Sequence, residues 1–405
     1  MKILMLADDY PPLSRGGGRS VQLLSRELSR RGYEVIVCTK GHQDLPKYEQ
    51  EDSVKIHRVQ GFFHRIPFIY RGFHPPTKDW IIARRLRRII QEERPDVIHA
   101  HGRMLYSTIA LKRDPKIPLL ATPRDYGFLC PKGRLLTSEN VLCDEPFTKN
   151  CIVCAKDTLG LAKSLVAYYW IRRNRKKLKS VDKFTAISSF LRQVHMKHLG
   201  LSDKDIVMTP NFYSPQAESE SQTKMGLPED FILFVGALAP HKGVDLLIEA
   251  YYKLNAKTKL VVIGQKHTHY RYESTEDILV IEDAPHDAVM QAMSQCRFAV
   301  FPSVWPEPFG RVVLEAMSQK RTVIASRIGG FKDIVVDGET GIFVPPNNSA
   351  ELAEAISYLL ESPAKASEMG QRGYDRLMKT YTPEVVVPLF VDIYQSLISP
   401  QAKVA

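Results

Sequence analysis

The sequence predicts an α/β protein built from two doubly wound, parallel-sheet domains. Three observations carry that reading. Short apolar runs such as KILML, EVIVCT, FILFVGAL and KLVVIG alternate with amphipathic helical patterns, the grammar of repeated βαβ units. The runs are apolar throughout rather than alternating, as strands covered on both faces are. The pattern halts at a polar, turn-rich stretch, Asn211 to Pro228, and then restarts, which places the interdomain linker there.

Taken in order, KILML is the first strand. MKILMLADDYPP has too short an apolar run, and turns acidic too quickly, to read as a signal peptide. A turn-rich loop, DDYPPLSRGGG, leads into a helix from about Ser20 to Arg31 with Val21, Leu24 and Leu28 on one face. Gly32 ends it, and EVIVCT is the next strand. DVIHAH (Asp96 to His101) follows a long basic helix, and PLLAT, KFTAIS (Lys183 to Ser188) and DIVMTP (Asp205 to Pro210) complete the first half. FILFVGAL, KLVVIG, ILVI, FAVFPS, TVIAS and GIFVPP supply the strands of the second half, and a last helix runs from about Pro383 to Ile398. The expected boundaries are 1–210, with a Cys-rich insert at about 126–157, then 229–382, and 383–405 as a helix packing back on the first domain. Right-handed crossovers would set the two domains facing one cleft, with ligands at the carboxyl ends of the strands.

Composition narrows the function classes. At about 150 residues per domain, 405 residues suit two or three domains. With 44% hydrophobic and 25% charged residues, the chain is neither disordered, collagenous nor a coiled coil. Six Cys exclude a secreted disulfide scaffold, and no run approaches eighteen apolar residues, so no membrane span is expected. A cytoplasmic protein is the default. The net charge of +11 is unevenly spread. Residues 1–200 hold 37 Lys/Arg against 19 Asp/Glu, while residues 201–405 hold 19 against 26. A basic half suits phosphorylated substrates, anionic lipid or nucleic acid.

The most informative stretch is Pro302–Met317, PSVWPEPFGRVVLEAM. An apolar strand ends, a loop carries Glu307, Phe309 and Gly310 form the turn, and a helix carries Glu315. Unpaired amides and the helix dipole at such a junction favour an anion. At about 1.5 Å rise per residue the two carboxylates stand on the order of 10 Å apart. One could hold a sugar on one side of a diphosphate, and the other a ribose on the far side. A solvated loop Glu and a surface helix Glu are the plain alternative.

EPFGRVVLEAM resembles the E-x7-E motif of the family 4 retaining glycosyltransferases, also described as glycosyl transferases group 1, which have the GT-B fold. FILFVGALAPHKGVDLLIEAY, TVIASRIGGFKDIVVDGETGIFVPPNNSAELAEAI, DDYPPLSRGGGRSVQLLSREL and DVIHAHG resemble further signatures of that family, in the same order. The resemblance implies roles. Glu307 would contact the donor sugar's hydroxyls, Phe309 and Gly310 would present backbone amides to sugar and diphosphate, and Glu315 would accept from the ribose. Lys242, in APHKG, would neutralise the leaving diphosphate, with Gly236 and Arg311 beside it. His101, in HAH, would lie close to the transferred sugar. Both His99 and His101 point to one face of their strand, and His101 is nearer its carboxyl end. Gly16, Gly17 and Gly18 would let backbone approach the donor phosphates or the acceptor. The family usually has Arg where this chain has Ala237; Arg311 or Lys332 could supply the missing charge. The implied reaction moves a sugar from a UDP- or GDP-sugar to a saccharide or polyprenyl-linked acceptor with retention of configuration, in surface polysaccharide or glycolipid synthesis. No catalytic metal is expected, since no DxD-type signature stands in these motifs. The alternatives are a GT-B nucleotide-sugar epimerase and a non-catalytic nucleotide-sugar-binding scaffold.

Two features stand apart. Cys130, Cys143, Cys151 and Cys154 fall in the spacing C-x12-C-x7-C-x2-C. They could hold a structural zinc or an iron–sulfur centre, or remain free or disulfide-linked thiols; Cys38 and Cys296 read as buried apolar residues. The stretch TLGLAKSLVAYYWIRRNRKKLK runs from apolar-aromatic to strongly basic, and Arg84, Arg85, Arg87 and Arg88 follow FFHRIPFIYRGF. Aromatics with cations beside them suit an anionic membrane surface, so peripheral docking on the cytoplasmic face is the expectation, against a solvated basic helix face. No nucleic-acid-binding motif is present.

Overall fold

The computed structural model describes every residue except 13–15, 43, 64–74, 112–116, 139–140, 216–224, 255–256, 266–269 and 400–405. Parts of the glycine-rich loop, the FFHRIPFIYRGF stretch, the linker and the tail beyond the last helix therefore lie outside the described residues. The chain forms two compact units, Met1–Pro210 with the chain from Val386 onward, and Asn211–Val385.

The first unit holds an eight-stranded sheet. Its strands are β1 (Lys2–Ala7), β2 (Glu34–Lys40), β3 (Tyr48–Glu51), β4 (Val54–Val59), β5 (Val97–Ala100), β6 (Leu119–Ala121), β7 (Lys183–Ala186) and β8 (Ile206–Met208), in the order β3-β4-β2-β1-β5-β6-β7-β8. Every pairing is parallel except β3 with β4. The central strands bury nearly every side chain, as KILML and EVIVCT require. β3 and β4 are additional to the strands expected from the sequence. YEQE is an antiparallel edge strand with no fully buried residue, and VKIHRV mixes apolar with polar positions, so neither gives a continuous apolar run.

The Gly17–Arg30 and Trp80–Glu93 helices flank this sheet's crossovers. Asp79 caps the second by accepting from the amides of Ile81 and Ile82, at 3.0 and 3.1 Å. The first starts three residues earlier than its apolar periodicity indicated, because glycines occupy its opening turn.

The second unit holds a six-stranded parallel sheet: β9 (Phe231–Ala237), β10 (Lys259–Gln265), β11 (Ile278–Glu282), β12 (Ala299–Phe301), β13 (Val323–Ser326) and β14 (Gly341–Val344), in the order β11-β10-β9-β12-β13-β14. All six predicted strands are present. Ile232, Phe234, Leu260, Val262, Val300 and Ile324 pack with Leu247, Leu352 and Ile356 from the covering helices into one core. The strand order switches between β9 and β12, and doubly wound sheets bind ligands outside the carboxyl ends of the strands at such a point. Among the described residues no helix is long and apolar enough to cross a membrane.

Candidate active site

In the second unit, two loops leave the switch point. β9 runs into a short 3-10 turn, Pro240–Lys242, ahead of the Val244–Tyr252 helix. β12 runs through Pro302–Gly310 into the Arg311–Ser318 helix. Backbone bonds tie the loops together: the amides of Val304 and Trp305 donate to the His241 carbonyl at 3.1 and 3.3 Å. Gly243 sits at φ +77°, and a Cβ there would lie 1.9 Å from the Pro302 carbonyl oxygen, so only glycine allows this approach.

That contact sets Lys242 beside Glu307. Lys242 Nζ lies 2.6 Å from Glu307 Oε1 and 5.0 Å from the centroid of the Trp305 ring. Ser303 Oγ and Trp305 Nε1 donate to the same oxygen, at 2.7 and 2.8 Å. Three donors thus hold one carboxylate oxygen of a buried Glu. A further strap comes from the Gly329–Gly330 pair. The Gly330 amide donates to the Glu307 carbonyl at 2.7 Å, and a Cβ on Gly329 would fall 2.4 Å from that carbonyl.

Gly310 caps the Arg311–Ser318 helix at φ +107°. The Phe309 ring is core, edge-on to Tyr381, so only its backbone is available to a ligand. Arg311 Nη2 lies 3.6 Å from Glu315 Oε1 one turn on, while its Nη1 is buried without a hydrogen-bond partner. An orphaned guanidinium donor beside a helix amino end is what an anion satisfies. Gly236 lies near the end of β9, where its carbonyl presses against Gly264 of the neighbouring strand. Lys332 is exposed on the Phe331–Ile334 helix, and Ala237 is half-buried.

In the first unit, His101 follows β5 immediately and is buried. Its ring centroid lies 3.8 Å from that of His99, which confirms that the two share a face. His99 is a satisfied core residue. Its Nδ1 meets the Tyr394 hydroxyl at 2.7 Å and its Nε2 the Thr122 hydroxyl at 2.6 Å, and Thr122 in turn bonds Thr185. His101 differs. Arg124 reaches its Nδ1 at 3.1 and 3.3 Å. A guanidinium only donates, so Nδ1 is the acceptor and the proton rests on Nε2. That Nε2 is buried with no partner. Burial first, then the neighbouring His99 and Arg124, hold the His101 pKa well below the usual range, so the ring is neutral near pH 7. Gly16 and Gly17 are exposed at the start of the Gly17–Arg30 helix, and a Cβ on Gly17 would touch Arg124 at 3.6 Å.

The structure therefore gathers Lys242 and Glu307 into one ion pair, with Phe309, Gly310, Arg311 and Glu315 along the adjoining loop and helix, and places Gly17 beside the partner of His101. Sequence reasoning missed Ser303, Trp305, Gly329, Gly330 and Arg124. Their signal was present only as position, each sitting at a strand-to-loop junction.

The four clustered thiols are free, as are Cys38 and Cys296. The last two are fully buried, and burial pushes their pKa up to about 12. Cys143 is raised by burial first, with Cys151, Cys130 and Cys154 adding repulsion, so the four lie near one another. Among the described residues no group of three or more His, Cys, Asp or Glu is arranged to hold a metal ion.

The chain also resembles known proteins along its length. Residues 14–217 match the model of Glycosyltransferase Family 4, and residues 216–376 that of Glycosyl transferases group 1. An uncharacterized glycosyltransferase of Methanocaldococcus jannaschii is 33% identical over 98% of this chain and 99% of its own. Sucrose-phosphate synthase from Thermosynechococcus elongatus superposes with a TM-score of 0.76 at 18% identity, covering 98% of each chain. Anabaena HepE, solved in complex with UDP-glucose, gives 0.69 at 17% identity, covering 98% of this chain and 100% of that one. The likeness to these last two establishes the GT-B fold.

Proposed function

We propose that this chain, which belongs to glycosyltransferase family 4 and is a glycosyltransferase, moves a sugar from a nucleotide diphosphate donor to a saccharide or lipid-linked acceptor with retention of configuration. The observation that carries the reading is the Lys242–Glu307 pair at the switch point, locked beside the amino end of the Arg311–Ser318 helix. The UDP-glucose complex of the HepE neighbour supports the donor class.

The chemistry follows from the donors available. A diphosphate leaving group develops negative charge as the glycosidic bond breaks, and preorganised donors aimed at that charge lower the barrier. Lys242, the orphaned Nη1 of Arg311 and the amides at Phe309 and Gly310 are such donors. Arg311 thereby takes the place of the Arg usual at position 237. Binding a diphosphate would draw Lys242 away from Glu307, whose carboxylate then accepts from the sugar's hydroxyls. Glu315 would take the ribose. The Nε2–H of His101 supplies a neutral donor to a sugar oxygen. In the proposed front-face route, the acceptor oxygen attacks on the side the phosphate leaves, and the departing phosphate oxygen takes the acceptor's proton. No second carboxylate is needed as nucleophile. The product belongs to surface polysaccharide or glycolipid synthesis.

For the cysteine cluster the proposal is one structural zinc. The four-thiol donor set supports it, and the thiols would have to close up to bind, since as placed they form no metal-holding group. Metal analysis of protein purified under reducing conditions decides it, with about one zinc per chain expected.

A thermal-shift screen against UDP-, GDP- and ADP-sugars tests the main reading, because a ligand bound only by the native state raises its stability. One class is expected to stabilise the protein, and proton NMR of the product formed with that donor should show the donor's anomeric configuration. No shift with any donor, or an inverted product, overturns it.

A further inference from the structure

We propose that the outward face of the Leu161–Asn174 helix and the Arg175–Ser180 turn that follows it dock on an anionic lipid bilayer. This goes beyond glycosyl transfer, because it concerns a surface that the chemistry does not use.

Only a narrow stripe of this segment faces the protein: Ser164, Ala167, Ile171, Asn174 and Leu178 are buried. The opposite face carries Leu165, Val166 and Tyr169, which are 46%, 41% and 52% exposed. Arg172, Arg173, Lys176 and Lys177 follow them, all exposed. Residues 161–180 hold seven Lys/Arg and no Asp/Glu, so nothing within the segment neutralises it. Arg172 and Arg173 donate to the hydroxyls of Tyr168 and Tyr169, at 2.8 and 3.2 Å, which holds cation and ring side by side. No carboxylate among the described residues pairs with Arg172, Arg173, Lys176 or Lys177.

A second patch of the same make adjoins it. Asn174 Nδ2 donates to the Pro76 carbonyl at 2.7 Å, anchoring the end of the helix beside the start of the Trp80–Glu93 helix. There Trp80 is 58% exposed, with the Phe62 ring 5.8 Å away. Arg84 and Arg87 lie four and seven residues on, along the same helix face.

The mixture of groups decides the partner. Aromatic and aliphatic side chains flanked by cations that no described carboxylate neutralises match the interface of a bilayer with acidic headgroups. A single-stranded nucleic acid would use the rings and cations but has no use for Leu165 and Val166.

Flotation of the full chain with vesicles tests this. Vesicles of phosphatidylcholine with 30% phosphatidylglycerol should carry the protein upward, and pure phosphatidylcholine should leave it at the bottom. The variant R172E/R173E/K176E/K177E should bind anionic vesicles at least ~10-fold more weakly, since each cation near such a surface adds measurably. The variant K253E/K257E/K320E/K379E, with the same change of net charge on the other unit, should float as wild type does. L165S/Y169S should bind at low salt but release at 0.5 M NaCl, where wild type stays bound. Equal loss in both quadruple variants, equal flotation on neutral vesicles, or binding to single-stranded RNA without flotation overturns the proposal. Circular dichroism and transfer to a water-soluble acceptor, both unchanged in all three variants, separate lost docking from lost folding or lost activity.

Discussion

Consider removing each side of the Lys242–Glu307 pair in turn. Lys242 Nζ and Glu307 Oε1 are 2.6 Å apart, and their side chains keep only 21% and 10% of their surface. A charge-assisted hydrogen bond contributes about 1.5–3 kcal/mol, and partial exposure at the lysine screens it towards the lower end. A double-mutant cycle of K242A, E307A and K242A/E307A, followed by urea unfolding, should therefore show a coupling energy of about 1–2 kcal/mol. K242A alone should cost more than E307A, because it strands a carboxylate in a buried site where Ser303 and Trp305 alone remain as donors. Ligand binding should split the two variants the other way. K242A removes a cation from the diphosphate and should weaken UDP or GDP binding about tenfold or more, that is, by at least ~1.4 kcal/mol. E307A releases Lys242 from its competitor, so the bare nucleoside diphosphate should bind as tightly as before or tighter, while transfer falls at least ~100-fold. Isothermal titration and a transfer assay read both. Additive stabilities, or a loss of diphosphate affinity in E307A equal to that in K242A, would refute the exchange of partners.

Three further outcomes are expected. Gly329→Ala places a Cβ 2.4 Å from the Glu307 carbonyl at φ +58°, and should lower stability by about 1–3 kcal/mol and transfer together, read by urea unfolding and initial rates. His101→Ala should cost transfer about 100-fold with little change in nucleoside diphosphate affinity, whereas Arg124→Ala should partly mimic it by letting the His101 proton move to Nδ1. His195 is buried, its Nδ1 donating to the Leu191 carbonyl at 2.9 Å, and burial lowers its pKa to about 4. Below pH 6.5 the unfolded chain takes up that proton first, so stability is lost as pH falls through the window from about 6.5 to 4, by about 2 kcal/mol at pH 5. Unfolding free energies at pH 7.5 and 5.0 should differ by about 2 kcal/mol less in His195→Gln; an unchanged difference would contradict this.

How far the sequence could be read follows from the range of each interaction. The inner strands of the second unit, β9, β10, β12 and β13, are visible because most of their residues are buried on both faces and so must be apolar in succession, and the half-buried edge strands β11 and β14 keep short apolar runs as well. β3 escapes notice because an antiparallel edge strand needs no such run. Glu307, Phe309, Gly310, Arg311 and Glu315 lie within nine residues of one loop and helix, and local spacing reveals them. The pairing of Lys242 with Glu307 spans 65 residues and depends on the Gly243–Pro302 approach, which no local pattern encodes. Arg124 illustrates the same point. It is one Arg among many in a basic half, and only the register of β5 beside β6 brings it to His101.

The hydrogen bond between His99 and Tyr394 joins residues 295 positions apart. A ribosome delivers the chain in order, so His99 waits, without its hydroxyl partner, while the entire second unit emerges. The first unit begins earlier but finishes later, and its eight strands, all delivered by residue 208, wait through that interval without the helix that closes over them, a state prone to unwanted association. Expression that lingers within the second unit's codons should therefore harm the first unit most.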